Sequence, residues 1–280
     1  MLKKCSDREG MPLIAAHRGA AGGNVPCNTL TAYDAAISQG ADIVELDISQ
    51  SRDGVLFAFH PGMEPHHLKS PRLIREMDAA DVANLRYHNS DGVQTQYGVS
   101  RFDDVLEHLK GRCVINIDKF WTCMWEIAAA VRSHGMVEQV LIKTGPDTAY
   151  FRAIEEIAPD FAYMVMARGE DVCTPTLARR ALNYVGVEAL FNREDCPVCG
   201  VEYIDRMHRA GLIVWANAIV YDYQDVIGAG HTDDVSVGGD PGDGWGWLAD
   251  RGFDVIQTDW PLALSNYLRG LHGGVQGVKA

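Results

Sequence analysis

Along this chain a short apolar run is followed, again and again, by a stretch of helical periodicity. Apolar runs fall at 12–16, 43–48, 55–59, 113–117, 140–142, 161–166, 184–191, 212–220 and 253–257. Helical segments lie at 29–39, 103–109, 124–134, 148–157, 176–183, 201–210 and 261–268, with Gly40, Gly111, Gly135, Pro159 or Gly211 just beyond the ends of most of them, where a helix typically stops. Strand–helix alternation of this kind is the mark of an α/β fold with a parallel sheet. Eight or nine strands in 280 residues predict a (β/α)8 TIM barrel, which typically needs about 250 residues. A doubly wound open sheet is the alternative, but no G-x-G-x-x-G follows the first strand, which weakens its dinucleotide-binding version. The reading is one domain over 1–280 with two interruptions. Residues 61–100 are polar and carry Pro61, Pro65 and Pro71, as a small insertion after an early strand; residues 221–244 carry six Asp among many Gly, as a long, solvated acidic loop.

Composition narrows the function classes. Hydrophobic residues at 47% against 22% charged exclude a disordered chain. Lys plus Arg is 25 and Asp plus Glu is 38, a net charge of −13, which argues against a nucleic-acid binder. The longest apolar run, 213–221, falls far short of the roughly 20 residues a membrane span needs. Ser6, Asp7, Arg8 and Glu9 interrupt any apolar stretch near the N-terminus, so no signal peptide is expected. Seven Cys, an odd number, fit reduced thiols and a cytoplasmic location better than a disulfide framework. The single Cys196-x-x-Cys199 lacks the second pair that a structural zinc site uses and reads as two reduced thiols near a helix start.

The chemistry-bearing residues gather at strand ends, which in a barrel form the active face. The first strand ends in Ala16-His17-Arg18-Gly19. His17 can serve as acid or base near neutral pH, and the Arg18 guanidinium suits a phosphate; each residue alone would pass as a surface group. On Val44-Glu45-Leu46-Asp47-Ile48, side-chain alternation puts Glu45 and Asp47 on one face. Two buried carboxylates need a hard cation or basic partners. A third run ends at His60, and Val114-Ile115-Asn116-Ile117 leads to Asp118.

The series His17-Arg18-Gly19, Pro26-Cys27-Asn28-Thr29, Gly40-Ala41-Asp42, Glu45-Leu46-Asp47, Asp53-Gly54 and His60 resembles the glycerophosphodiester phosphodiesterase family in order and spacing. Looser matches at 99–109, 115–118, Val214-Trp215 and Thr258-Asp259-x-Pro261 extend the resemblance over nearly the whole chain. It implies that Glu45, Asp47 and Asp118 bind one divalent cation, Mg2+ or Ca2+. It also implies that His17 and His60 are the acid–base pair, that Arg18 holds the phosphate, and that Trp215 lines the pocket. The family's usual Glu in the P-E-N-T motif is Cys27 here, read as a pocket wall. The family's third ligand is usually Glu with a Lys two residues on. Here it is Asp118 followed directly by Lys119, which strand alternation would turn to the opposite face, so Lys143 on the next strand is expected to supply the positive charge.

The function expected is a metal-dependent phosphodiesterase that cleaves a glycerophosphodiester or related phosphodiester to a phosphomonoester and an alcohol. The alternatives are a phospholipase D-like lyase that releases a cyclic phosphate and a non-catalytic barrel that binds a phosphate ligand. The partners expected are a small-molecule phosphodiester, no nucleic acid and no transmembrane segment, with a homo-oligomer allowed.

Overall fold

A computed structural model describes residues 10–273; the N-terminal reading at residues 6–9 and the thiol of Cys5 fall outside them. Nine strands form, β1 Leu13–Ala16, β2 Ile43–Gln50, β3 Leu56–Ala58, β4 Val114–Asp118, β5 Val140–Thr144, β6 Ala162–Arg168, β7 Tyr184–Leu190, β8 Ile213–Asn217 and β9 Val255–Thr258. Eight of them are parallel and close on themselves: β1 pairs with β9 on one side (Leu13 opposite Val255, Ala16 opposite Thr258) and with β2 on the other (Ala15 opposite Ile43). This is the (β/α)8 barrel the alternation predicts. The run at 55–59 is no barrel stave. It becomes β3, which pairs antiparallel with the far end of β2 and leads into the insertion.

Helices Leu30–Ser38, Phe102–Leu109, Met124–Ser133, Thr148–Ile157, Val201–Arg209 and Pro261–Gly273 follow the periodic segments closely. The first starts where Thr29 accepts a hydrogen bond from the Ala32 N–H, an N-cap that satisfies one orphan donor of the first turn. The helix expected at 176–183 is only one turn, Thr174–Leu177. Leu177 is its single buried side chain, and Arg179, Arg180 and Asn183 offer no apolar stripe to prolong it.

The apolar layer between barrel and helices holds Val44, Leu46 and Ile48 from β2 and Ile115 and Ile117 from β4, together with Phe102, Leu106, Ile127 and Ile154. It also buries Cys113, Cys123, Cys173, Cys196 and Cys199, all free thiols. Inside the barrel a separate apolar floor is built from Leu13, Ala15, Ile43, Val114, Leu141, Met164, Trp215 and Val255. Segment 61–100 carries three short helical turns and a third apolar cluster of its own, with Phe57, Phe59, Leu68, Ile74, Met77, Val82, Tyr87 and Val99.

The acidic stretch departs from the solvated loop expected of it. It holds the helix Asp233–Gly238, capped by Thr232, and leads into a π-helical turn at Gly242–Gly246. Asp233 is only 2% exposed. Three donors hold its carboxylate in place, at 2.7 Å each: Trp245 Nε1, Thr258 Oγ1 and the Asp259 N–H. A charge that would be costly to bury bare is thereby solvated by the protein.

Candidate active site

Every inward-facing barrel position above the apolar floor comes from the period of two along its strand. On β2 the inward series is Ile43, Glu45, Asp47; on β4 it is Val114, Asn116, Asp118, and the register sets Glu45 beside Asn116 and Asp47 beside Asp118. The alternation that placed Glu45 and Asp47 on one face therefore also brings Asp118 to them. Ligand oxygens of these three carboxylates lie within 4.8 Å of one another. They form the only such grouping of acid, His or Cys donors among the described residues.

Asn28, in a left-handed conformation (φ 56), donates from Nδ2 to Asp47 Oδ2 at 3.0 Å, while its Oδ1 accepts from Tyr33 Oη. The Arg18 N–H donates to Glu45 Oε2 at 2.9 Å, and Arg18 Nε lies 2.9 Å from Asp47 Oδ2. Gly19, just after this turn, has φ 83, and a Cβ there would sit 2.8 Å from the Ala32 backbone. A glycine thus lets the first βα turn press against the next helix.

Glu45, 1% exposed, is pushed up to about 7, first by burial and then by the charge of Asp47. Asp47 Oδ1 is buried with no hydrogen-bond partner. Three converging carboxylates, one with an unpartnered buried oxygen and one driven toward protonation, are a donor set suited to a hard divalent cation.

The two imidazoles flank this cluster. His17 Nδ1 lies 2.8 Å from Asp259 Oδ1. Burial would lower the His17 pKa, but the hydrogen bond to Asp259 and the charges of Glu45 and Asp259 outweigh it and raise the pKa. His60 Nε2 is 3.9 Å from Asp47 Oδ1, and neither of its ring nitrogens is hydrogen-bonded. Its pKa is lowered, mainly by burial. One imidazole is thereby biased toward the charged form and the other toward the neutral form.

A cleft of about 300 Å3 opens over this centre, lined by His17, Arg18, His60, Asp118, Lys143 and Tyr221 among others. Lys143 Nζ reaches Glu188 Oε2 at 3.0 Å, and its pKa is raised: burial alone would lower it, but the charges of Glu188, Asp118 and Glu45 prevail. Segment 219–227 crosses the mouth. Arg168 holds it through a two-pronged pair to Asp225, at 2.7 and 3.2 Å.

Two residues stand elsewhere than expected. Lys119 does not turn away from Asp118. It lies past the strand end with φ 58, which swings Nζ back to 3.1 Å from Asp118 Oδ2 and onto the cleft wall. Trp215 does not line the cleft. It belongs to the apolar floor one layer deeper, 1% exposed, with Lys143 Nζ 5.6 Å from its ring centroid, and Asn217, two residues on, takes the lining position. Cys27 lies against a neighbouring cavity, between the 21–27 turn and the insertion.

The sequence reading assigned no role to Asp259, Asn28 or Glu188. Glu188 carries a weaker form of the Glu45 signal, a single carboxylate in an apolar strand run where β2 has two, and the Thr258-Asp259-x-Pro261 match marks Asp259.

A closed parallel barrel that gathers carboxylates, two imidazoles and an arginine at the C-terminal mouth of its strands holds groups that could serve proton transfer on an anionic ligand. The sequence pattern of the glycerophosphoryl diester phosphodiesterase family matches residues 17–262, and the chain belongs to that family. "Probable glycerophosphodiester phosphodiesterase 1" of Mycobacterium tuberculosis is 38% identical over 78 residues, 28% of this chain and 28% of that protein. A glycerophosphodiester phosphodiesterase of Bacillus altitudinis is 46% identical over 115 residues, 39% of this chain and 45% of that protein. The matched stretches therefore span less than half the length of these relatives. The crystal structure of a glycerophosphoryl diester phosphodiesterase from Parabacteroides distasonis superposes with TM-score 0.76 at 17% identity, covering 93% of this chain and 87% of that one, a likeness of fold.

Proposed function

We propose that this chain hydrolyses a glycerophosphodiester, or a closely related phosphodiester, to a phosphomonoester and an alcohol. The observation that carries this reading is the placement of two imidazoles at one acidic cluster, His17 hydrogen-bonded to Asp259 at 2.8 Å and His60 3.9 Å from Asp47, with their pKa values shifted in opposite directions. Groups whose environments separate their pKa values divide the roles of acid and base between them.

His60, held neutral, takes a proton from the attacking water as its oxygen bonds to phosphorus. The bond from phosphorus to the leaving alcohol oxygen breaks, and that oxygen takes a proton from His17, which Asp259 orients and whose protonated form it favours. Arg18 grips the non-bridging oxygens and offsets their growing charge. Each proton transfer typically contributes about 10²–10⁴ in rate. A divalent cation, Mg2+ or Ca2+, held by Glu45, Asp47 and Asp118 would supply Lewis-acid stabilisation to the same oxygens. Lys143 and Lys119 temper the negative field of the acidic cluster.

The test is ³¹P NMR of the protein with glycerophosphodiesters, with divalent cation and with chelator, repeated for His17→Ala and His60→Ala. A phosphomonoester resonance that needs the cation and disappears in both variants is the expected result. A cyclic-phosphate resonance would assign a lyase instead. Ligand binding without turnover would assign a binding barrel.

A further inference from the structure

The cavity beside the reaction centre, on the insertion side, is a second place where a substrate can be read. It measures about 350 Å3, and its lining includes Cys27, His66, His67, Lys69, His88 and Asn89. None of its lining side chains is a carboxylate, although the chain carries thirteen more acidic than basic residues. The polar side chains instead include one ammonium and three imidazoles, while the two amide nitrogens of Asn24 and Asn89 donate to Gln96 and Asn24. His88 Nδ1 is buried with no hydrogen-bond partner. The imidazoles are no metal site, because only the Glu45, Asp47 and Asp118 group converges among the described residues.

The cavity adjoins the catalytic centre. Its Pro26-Cys27 wall runs directly into Asn28, which holds Asp47, and burial, then the neighbouring His66 and Arg18, push the His67 pKa down to about 4, so its ring offers a neutral N–H. A phosphodiester has two arms. The main cleft, with Glu188 and Asp225 beside its lysines and arginines, suits a polyol arm, which leaves the second cavity for the other.

Resting on the proposed hydrolase reading, we infer that this cavity is a subsite for an anionic group, a phosphate or carboxylate, on the second alcohol of the phosphodiester. Lys69 and His88 are its specificity-determining residues. An ionic hydrogen bond from such a group is worth about tenfold in selectivity or more.

The test compares kcat/KM for glycerophosphoinositol with its 4-phosphate, and for glycerophosphoglycerol with the corresponding glycerate ester, in wild type, Lys69→Gln and His88→Gln. A preference of about tenfold or more for the anionic member of either pair, falling to within about threefold in both variants, is expected; the pair that shows it identifies phosphate or carboxylate. No preference in either pair, or a preference that both variants keep, would overturn the subsite. If no substrate turns over, the hydrolase reading fails. The subsite is then judged by calorimetric binding of the same four compounds to wild type and Lys69→Gln: an anion preference lost in the variant sustains it, and equal binding rejects it.

Discussion

Replacing Glu45 by Gln should stabilise this protein in the absence of divalent cation and abolish its response to one. The carboxyl is 1% exposed and held at about 7 instead of 4.5, by burial and then by Asp47. A group whose pKa is raised in the folded state costs nothing below its unfolded value and progressively more as pH rises through its folded value. At about 1.4 kcal/mol per pH unit, the full cost above pH 7 is on the order of 3 kcal/mol. The amide introduced by Glu45→Gln would keep an oxygen to accept the Arg18 N–H and would be neutral at every pH. Urea unfolding in chelator should therefore give equal stabilities at pH 4.5, a gap opening between pH 4.5 and 7, and a plateau near 3 kcal/mol in favour of Glu45→Gln at about pH 8. Millimolar Mg2+ or Ca2+ should stabilise the wild type by mass action and leave the variant unmoved. A wild type as stable as the variant at pH 8 in chelator, or a gap that does not change with pH, would refute the account of this site as carboxylates confined together for a cation.

Asp259→Asn removes the hydrogen-bond partner that raises the His17 pKa against its burial. Asp259 is about half exposed, so the loss sits near the low end for an ionic hydrogen bond, about 1.5 kcal/mol or roughly tenfold in kcat at neutral pH. The alkaline limb of the rate profile should move to lower pH, because His17 acts in its protonated form, and superimposable profiles would remove Asp259 from the mechanism. Cys27→Glu puts a carboxylate in the wall of the second cavity and should reverse any preference for anionic second alcohols; an unchanged substrate ranking would make Cys27 incidental. Gly186→Ala drives a Cβ to 2.1 Å from the Ile213 carbonyl oxygen on the neighbouring strand. It should cost about 3 kcal/mol or more in urea unfolding, and a variant within about 0.5 kcal/mol of wild type would contradict that packing.

Much of the architecture is legible in the sequence because it rests on local periodicity. The strand–helix rhythm names the barrel, and alternation along β2 names Glu45 and Asp47 as neighbours. What alternation reports is which face a residue takes, and it is silent about height. Trp215 and Asn217 share the inward face of β8, yet only the stagger of strands around the barrel puts one in the floor and the other in the cleft. Lys119 escapes the strand rule because that rule stops where the strand does, and a single left-handed residue reverses its direction. The acidic stretch defeats composition altogether. Asp233 is surrounded by donors from residues 245, 258 and 259, a set that assembles only once the last strand is in place, so its charge pattern looks like that of a solvated loop.

The hydrogen bond between His17 and Asp259 joins residues 242 positions apart, across the seam where β1 meets β9. Closing that seam pairs the first strand with the last, and it carries a large loop-closure entropy. On the proposed mechanism, turnover needs the closed ring: without its last stave His17 lacks the partner that orients it. If the proposed activity holds, recovery of turnover during refolding should lag behind recovery of helix content and follow the burial of β9, so turnover would serve as a clock for completion of the fold.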